Sequence, residues 1–288
     1  MENIDVLSLI LGGLAYGMIL FIISVGLSVT MGLMGFVNLA HGAFAMVGGY
    51  LVVTLMNDLG TPFFVALAAS FVLVAVFSVA IERTLYARLY GADELTQVLF
   101  TIGVIFMVIA AVTFFWGTEA KSIKLPGYLA GPMDLGFATF PAYRIFLIGV
   151  GALMILGLWL GLERTRVGAQ IRAAVDNRRM AQSLGIDVDR LFTLTFALGS
   201  GLAAVGGGLG IEIVGLDPQY ALNYLVFFLI VVAVGGLGSI RGAFVAALVI
   251  GMFDFAGKRL YPQAGAFFIY AITIAVLLWR PRGLFGRA

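Results

Sequence analysis

The N-terminal part of the chain contains an uncharged run that is too long for one membrane-spanning helix. Residues 6–57 include no Asp, Glu, Lys or Arg over 52 consecutive positions. A single α-helix of that length would measure about 78 Å, whereas the hydrocarbon core of a bilayer is about 30 Å thick. The run therefore predicts at least two membrane segments, with an interruption at the glycines of residues 32–35.

The composition of the whole chain agrees with a membrane protein. Of its 288 residues, 62% are hydrophobic and 11% are charged, and the mean hydropathy is +1.09. These values exclude an ordinary soluble globular domain. The absence of Cys and the single His argue against a disulfide framework and against a metal site, and no basic patch indicates nucleic acid binding.

The remaining apolar runs extend the same pattern to the C-terminus. We predict an all-α polytopic membrane protein in which residues 1–288 form one transmembrane domain. About nine passes are expected, within a range of eight to ten, with broken or re-entrant segments near residues 32–35 and 235–242. The predicted passes cover residues 6–30, 36–56, 63–81, 95–116, 144–162, 191–211, 220–234, 243–256 and 264–279.

One polar segment between two predicted passes is rich in arginine. Residues 163–190, called here the arginine-rich segment, hold six Arg and four acidic residues in 28 positions. If this segment is cytoplasmic, the inner connections carry twelve Lys and Arg, Arg287 among them, against five outside. The positive-inside rule then predicts an external N-terminus and a cytoplasmic C-terminus.

The arginine-rich segment is also expected to fold. Apolar and small residues recur at helical spacing, so one or two short helices along the membrane surface are predicted. Gly185 is expected to end the second helix, and Asp187 or Asp189 to begin the next membrane helix. Such a surface helix is compatible with two functions: an anchor on anionic lipid headgroups, or an element that docks into a groove of a partner protein.

Polar residues inside the predicted passes are candidates for a translocation path, because burying polar groups in a bilayer is unfavourable. Each also has a purely structural interpretation. Asn38 and His41 lie three residues apart, and they would equally serve backbone carbonyls at the helix break. Asp254 is four residues from Lys258, so an ion pair within one helix is the favoured interpretation there. The remaining candidates are Gln97, Thr101 and Asn223.

Four stretches of the sequence resemble one known family. They are residues 168–177 with Ala181 and Gly185, residues 32–44, residues 232–243 and residues 280–286. Together they resemble the permeases of branched-chain amino acid ABC importers, of the LivH type. The Glu-Ala-Ala opening that is common in the coupling loops of other importer permeases is replaced here by Arg172-Ala173-Ala174, as in the branched-chain group.

The resemblance implies a specific assembly in the bacterial inner membrane. Such permeases pair with a second, homologous permease, two cytoplasmic ATPases and a periplasmic amino-acid-binding protein. The permease binds no cofactor and is not an enzyme; the ATPases use ATP and Mg. The arginine-rich segment would then be the cytoplasmic coupling loop, and the residues expected to contact an ATPase are Arg172, Ala173, Asp176, Asn177, Arg178, Arg179 and Gly185.

Other function classes remain as alternatives to this interpretation. A stand-alone secondary transporter or channel would need charged groups within the passes, for which Asp254 is the candidate. A membrane hydrolase built on Ser200 lacks the expected motif spacing, and the small residues around that serine favour close helix packing. Within the importer interpretation, urea or short amides are alternative substrates.

Overall fold

The computed structural model describes residues 6–134, 136 and 139–286, so residues 1–5 and Arg287, both used in the topology prediction, lie outside the described part. The described chain is almost entirely helical, which confirms the predicted fold class. Its helices are α1 (Val6–Met34), α2 (His41–Asn57), α3 (Phe63–Thr84), α4 (Glu94–Trp116), α5 (Gly127–Ala130), α6 (Ala142–Arg164), α7 (Arg166–Asp176), α8 (Arg178–Ser183), α9 (Val188–Val214), α10 (Tyr220–Asn223), α11 (Leu225–Gly235), α12 (Ile240–Leu260) and α13 (Gly265–Trp279).

The helices fall into two length classes. Within the described ranges, six of them (α1, α3, α4, α6, α9 and α12) are long and apolar enough to cross a membrane. Three further apolar stretches are shorter and correspond to α2, to α10 with α11, and to α13. The protein is therefore a multi-pass membrane protein, but the predicted count of nine complete passes is not confirmed.

The helix α2 begins beside the middle of α1 rather than at its end. His41, the first residue of α2, has its Nε2 atom 2.9 Å from the carbonyl oxygen of Ile23. Ile23 lies near the middle of α1, which continues to Met34. Residues 35–40 are not helical and fold back along α1, so the break predicted at residues 32–35 lies a few residues later, and α2 is a short helix of 17 residues.

The connection between α9 and α11 also returns into the bundle. Ala221 in α10 is fully buried, and a Cβ atom on Gly42 at the start of α2 would lie 3.1 Å from its carbonyl oxygen. The helix α11 has 11 residues, about 16 Å, which is half of a bilayer core. Residues 220–234, predicted as one pass, therefore form two helices, and both α2 and α11 start in the interior of the bundle.

The centre of the bundle consists of α1 and α9, which are the most buried of the long helices. Small residues at positions 199–210 of α9 allow this close packing, as predicted from the sequence. A Cβ atom on Gly207 of α9 would lie 1.8 Å from the carbonyl oxygen of Ala45 in α2. Only a glycine permits the two backbones to approach this closely.

The second predicted break, near residues 235–242, packs against the first. The turn between α11 and α12 contains Gly238, and a Cβ atom on Gly32 of α1 would lie 2.0 Å from its Cα atom. The C-terminal segment closes the same region, because Leu284 N–H donates to the Val234 carbonyl over 2.7 Å. We call this end of the bundle, which also holds α7 and α8, the arginine end.

The opposite end is covered by the connection between α4 and α6. It forms the antiparallel strands β1 (Pro132–Asp134) and β2 (Thr139–Pro141). Lys121 N–H donates to the Leu216 carbonyl over 2.8 Å, which ties this connection to the one after α9. We call this the hairpin end.

Candidate functional site

The arginine-rich segment folds into two short helices, α7 and α8, that are capped by their own side chains. The Thr165 hydroxyl accepts from Gly168 N–H over 3.1 Å, and the Asn177 amide oxygen accepts from Met180 N–H over 3.0 Å. Gly185 follows α8 with a φ of +82°, and the Asp187 carboxylate accepts from Arg190 N–H at the start of α9. The predicted helices, the glycine at the end of the second and the aspartate cap are confirmed.

One face of α7 and α8 is anchored in a small hydrophobic cluster of its own. This cluster is separate from the main core and holds α7 and α8 against the start of α9. Its buried members are Ile171, Ala174, Ala181, Val188, Leu191 and Phe192. Because the cluster fixes both short helices, they form a folded surface rather than a free loop.

Two of the arginines predicted to contact a partner have contacts within the chain. The Arg172 guanidinium donates to the Leu162 carbonyl near the end of α6. Arg178 forms a 2.9 Å ion pair with Asp189 and lies 4.9 Å from the centre of the Phe192 ring. These arginines therefore hold α7 and α8 in place, whatever else they contact.

The outward face carries the remaining predicted contact residues. Asp176, Asn177, Arg179 and Gly185 are exposed, and Ala173 is half-buried. Within the described residues, the Arg179 guanidinium has no ion pair or hydrogen bond. Large apolar side chains are also exposed on and directly after these two helices: Val167, Val175, Met180 and Leu184. This face combines apolar area with cationic groups, as protein-docking surfaces commonly do.

A cavity of about 290 Å³ lies under α7 at the arginine end. Its walls come from α1, α6, α7, the turn between α11 and α12, and the C-terminal segment. Lining residues from these elements are Val29, Trp159, Arg172, Gly238, Arg241 and Phe285. The ends of α1 and α6 and the start of α12 thus border the same cavity as α7.

A buried carboxylate connects the end of α3 to the start of α9. Glu82 is 2% exposed, and it accepts hydrogen bonds from the Tyr90 hydroxyl and, over 2.9 Å, from the Thr193 hydroxyl. Burial, reinforced by the Glu82 carboxylate, raises the pKa of Tyr90. Tyr90 thus remains a neutral hydrogen-bond donor, and Glu82 ties the end of α3 to the first turns of α9, which follows the arginine-rich segment.

Asn38 and His41 both lie at the break between α1 and α2. The Asn38 amide oxygen accepts from the Tyr86 hydroxyl over 3.1 Å, and His41 bonds to the Ile23 carbonyl. Each retains one buried nitrogen without a partner in the described structure, Nδ2 of Asn38 and Nδ1 of His41. The hydrogen bonds to Tyr86 and Ile23 support the structural interpretation. The two nitrogens that have no partner in the described structure are available to a ligand, so Asn38 and His41 remain candidates for the translocation path.

Gln97 and Thr101 are engaged in structural hydrogen bonds. Gln97 accepts from Val37 N–H over 3.1 Å and donates to the carbonyls of Leu89 and Ala92. It thereby joins the loop before α4 to the break after α1. The Thr101 hydroxyl bonds only to carbonyls of its own helix.

These roles predict different effects for two substitutions in α4. Gln97→Leu would leave the Val37 N–H buried without an acceptor, so we expect a loss of unfolding free energy of about 1–3 kcal/mol. Thr101→Val removes only a bond to the preceding turn of α4, and we expect a change below about 1 kcal/mol. Thermal unfolding of the purified variants in detergent measures both; equal losses would contradict the role of Gln97.

Asp254 and Asn223 lie apart from the other candidates. Asp254 is 1% exposed and pairs with Lys258 over 2.7 Å, as the spacing predicted. Asp254 lies near the C-terminal end of α12, at the hairpin end of the bundle. Asn38 follows the C-terminal end of α1, at the arginine end. Asn223 ends α10 and is exposed. The structure thus brings Asn38, His41, Gln97 and Thr101 to one region and leaves Asp254 and Asn223 in another.

Several residues of these sites were not predicted from the sequence. Trp159, Arg241 and Phe285 come from distant parts of the chain and meet only at the cavity under α7. Glu82 was assigned to a loop, although its carboxylate is buried. A pattern of local spacing contains no signal for such contacts, because they depend on how the long helices cross.

These features define the class of the protein as a polytopic α-helical membrane protein with half-length helices and a folded, basic surface segment. The described residues contain no group of three His, Asp or Glu side chains that could hold a metal ion. The family model described as the permease component of a branched-chain amino acid transport system matches residues 9–277. The chain belongs to this family.

Individual relatives cover nearly the whole chain. The high-affinity branched-chain amino acid transport permease BraD of Pseudomonas aeruginosa is 29% identical, over 96% of this chain and 95% of the relative. The permease LivH of Escherichia coli K12 is 26% identical over 96% of this chain and 94% of its own length. LivM of the same organism, a permease with the same described role, is 23% identical over 93% of this chain. No solved structure matches the chain significantly.

Proposed function

We propose that this chain is a non-catalytic permease subunit of an ATP-driven importer for branched-chain or related hydrophobic amino acids. The observation that carries the proposal is the position of α7 and α8. They present apolar and cationic groups outward, and they are anchored inward on the ends of long helices. In this assembly the chain forms part of the translocation path, while partner ATPases bind ATP and Mg.

The outward face of α7 and α8 is proposed as the ATPase contact. Arg179 provides a cation without an internal partner, and Met180 and Leu184 provide apolar area beside it. Asp176 and Asn177 lie on the same exposed turn between the two helices. An amphipathic helix with such a face fits a groove with an apolar floor and an acidic rim.

We propose that movement of the ATPase is transmitted to the membrane helices by the residues around the cavity under α7. Arg172 links α7 to the end of α6, while Gly238 in the turn before α12 contacts Gly32 of α1. The Glu82 network adds α3 through Thr193. When an ATPase displaces α7, these contacts would move four long helices together.

The membrane orientation follows from the same charge distribution. We propose that the arginine end faces the cytoplasm of a bacterial inner membrane, with the N-terminus outside and the C-terminus inside. The segments predicted as cytoplasmic do lie at one end of the bundle, which supports this proposal.

The assembly is proposed to include a second, homologous permease, two ABC ATPases and a periplasmic amino-acid-binding protein. The similarity to both LivH and LivM supports two different permeases in one transporter. Anionic lipid remains a further partner of the basic arginine end.

The proposal is tested by uptake in proteoliposomes. The chain is reconstituted alone and with the proteins that co-purify with it, and labelled leucine and urea are offered with and without ATP. We expect ATP-dependent leucine uptake only in the presence of an ATPase. Uptake by the chain alone would instead support a secondary transporter or channel, and uptake of urea without leucine would identify the alternative substrate class.

A further inference from the structure

We propose that Asp254, Tyr16 and Phe227 form a binding cage for the α-ammonium group of an amino acid, and that the Lys258 ammonium occupies this cage until a ligand displaces it. The inference rests on the proposed function and assigns it a substrate-binding site. It departs from the interpretation of Asp254 and Lys258 as a purely structural pair.

The cage has a carboxylate and two aromatic faces around one point. The Lys258 Nζ atom lies 2.7 Å from Asp254 Oδ2, 5.5 Å from the Phe227 ring centre and 5.9 Å from the Tyr16 ring centre. Tyr16, Phe227 and Asp254 come from the three helices α1, α11 and α12. A carboxylate combined with aromatic faces is a favourable environment for an organic ammonium group.

The hydrogen-bonding capacity of the cage is only partly used. Asp254 is 1% exposed, yet within the described structure its Oδ1 atom has no hydrogen-bond partner. Leaving a buried carboxylate oxygen unpaired is unfavourable, so the site has an acceptor that Lys258 alone does not satisfy.

Lys258 is able to leave the cage, whereas Asp254 is not. The Lys258 side chain is 49% exposed and belongs to the last turn of α12, towards the hairpin end. A lysine stem is flexible and its head group is strongly hydrated, so movement into water has a modest cost. Once displaced, the same ammonium is positioned to pair with the carboxylate of the bound amino acid.

The half-length helices explain why a site should form here. The helix α11 begins in the interior of the bundle at Leu225, so Phe227 in its first turn is placed beside α1 and α12. Discontinuous helices of this kind commonly frame substrate sites in transporters. The chemistry selects ligands that carry an ammonium group, and it gives no advantage to neutral urea or amides.

The test measures binding to the permease with the co-purifying proteins other than any periplasmic binding protein, because such a protein would report its own specificity. Three probes are compared by competition with labelled leucine in nanodiscs: 3-methylbutylamine, which lacks the carboxylate, 4-methylpentanoate, which lacks the ammonium, and urea. We expect the amine to compete and the acid and urea not to compete. Competition by the acid alone, or by none of the probes, would overturn the assignment.

Variants at the two charged residues give opposite expectations. Asp254→Asn is expected to weaken amine binding by about tenfold or more, since it removes a charge-assisted hydrogen bond. Lys258→Met removes the internal competitor and is expected to tighten amine binding, whereas a structural ion pair predicts weaker or unchanged binding. Arg259→Gln removes the same charge from the same turn and should leave binding unchanged.

The variants also separate a misfolded protein from a missing site. Each variant is checked for monodisperse elution and an unchanged melting temperature, and Lys258→Arg is added because it preserves the charge. If Lys258→Met is unstable, Lys258→Arg should still fold, and its bulkier head group should change amine affinity relative to the parent. Normal amine binding in folded Asp254→Asn overturns the cage even if the chain proves to be an importer subunit.

Discussion

Reversing the charge of Arg179 is expected to abolish most coupled transport while the permease remains folded. Arg179 is exposed on α8, and its guanidinium forms no hydrogen bond or ion pair within the described residues, so Arg179→Glu should not disturb the bundle. If the side chain meets an acidic group on an ATPase, the reversal replaces an attraction by a repulsion and should reduce ATP-driven uptake by about tenfold or more. Basal ATP hydrolysis by the partner ATPases should persist, because the variant contains no catalytic group.

The control for Arg179 is Arg88→Glu, which reverses an exposed arginine at the same end of the bundle but outside α7 and α8. Uptake is measured in proteoliposomes at equal amounts of assembled complex. Normal uptake by Arg179→Glu, or an equal loss in Arg88→Glu, would contradict a specific contact at α8. Arg172→Glu is less informative, since it also breaks the bond to Leu162 that holds α7 on α6.

Substituting Gly207 should have the largest effect on stability. A Cβ atom there would lie 1.8 Å from the carbonyl oxygen of Ala45, which belongs to backbone and cannot rotate away. Gly207→Ala therefore requires α2 and α9 to separate, and we expect a loss of about 3 kcal/mol or more, at the upper end of overpacking effects. The measurement is thermal unfolding of the purified permease in detergent.

Gly157→Ala provides the matched comparison for this substitution. Gly157 lies on α6, where no atom is within 4 Å of the added Cβ. The substitution should be neutral or stabilise the helix by up to about 1 kcal/mol. Equal destabilisation by both alanines would show that the contact between α2 and α9 is not what makes Gly207 necessary.

Local features of the fold could be predicted because their causes are local. The spacing of small and apolar residues predicted helices in the arginine-rich segment, and Gly185 and Asp187 marked the boundaries at which helices end and begin. The glycines of α9 predicted close packing without identifying α2 as the neighbour. Charge asymmetry likewise grouped the segments that the structure places at the arginine end.

Other features depended on distances that no local pattern contains. Residues 220–234 are apolar except for Asn223, so they were predicted as one pass, although Tyr224 separates two helices and the second starts inside the bundle. The pair of Asp254 and Lys258 was predicted from its spacing, but Tyr16 and Phe227 approach it from other helices. Gln97 was a path candidate because it is polar and lies in a predicted pass, but its hydrogen bonds to Val37, Leu89 and Ala92 depend on the tertiary fold.

The central claim is that α7 and α8 face the cytoplasm and receive an ATPase, and cysteine accessibility tests it most directly. The chain contains no Cys, so Ser183→Cys on α8 and Lys124→Cys at the hairpin end each introduce its single thiol. In intact spheroplasts, a membrane-impermeant maleimide should label Cys at position 124 only. Position 183 should react after permeabilisation and should be protected when the ATPases are bound. Labelling of position 183 from outside, or no protection by the ATPases, would contradict the account.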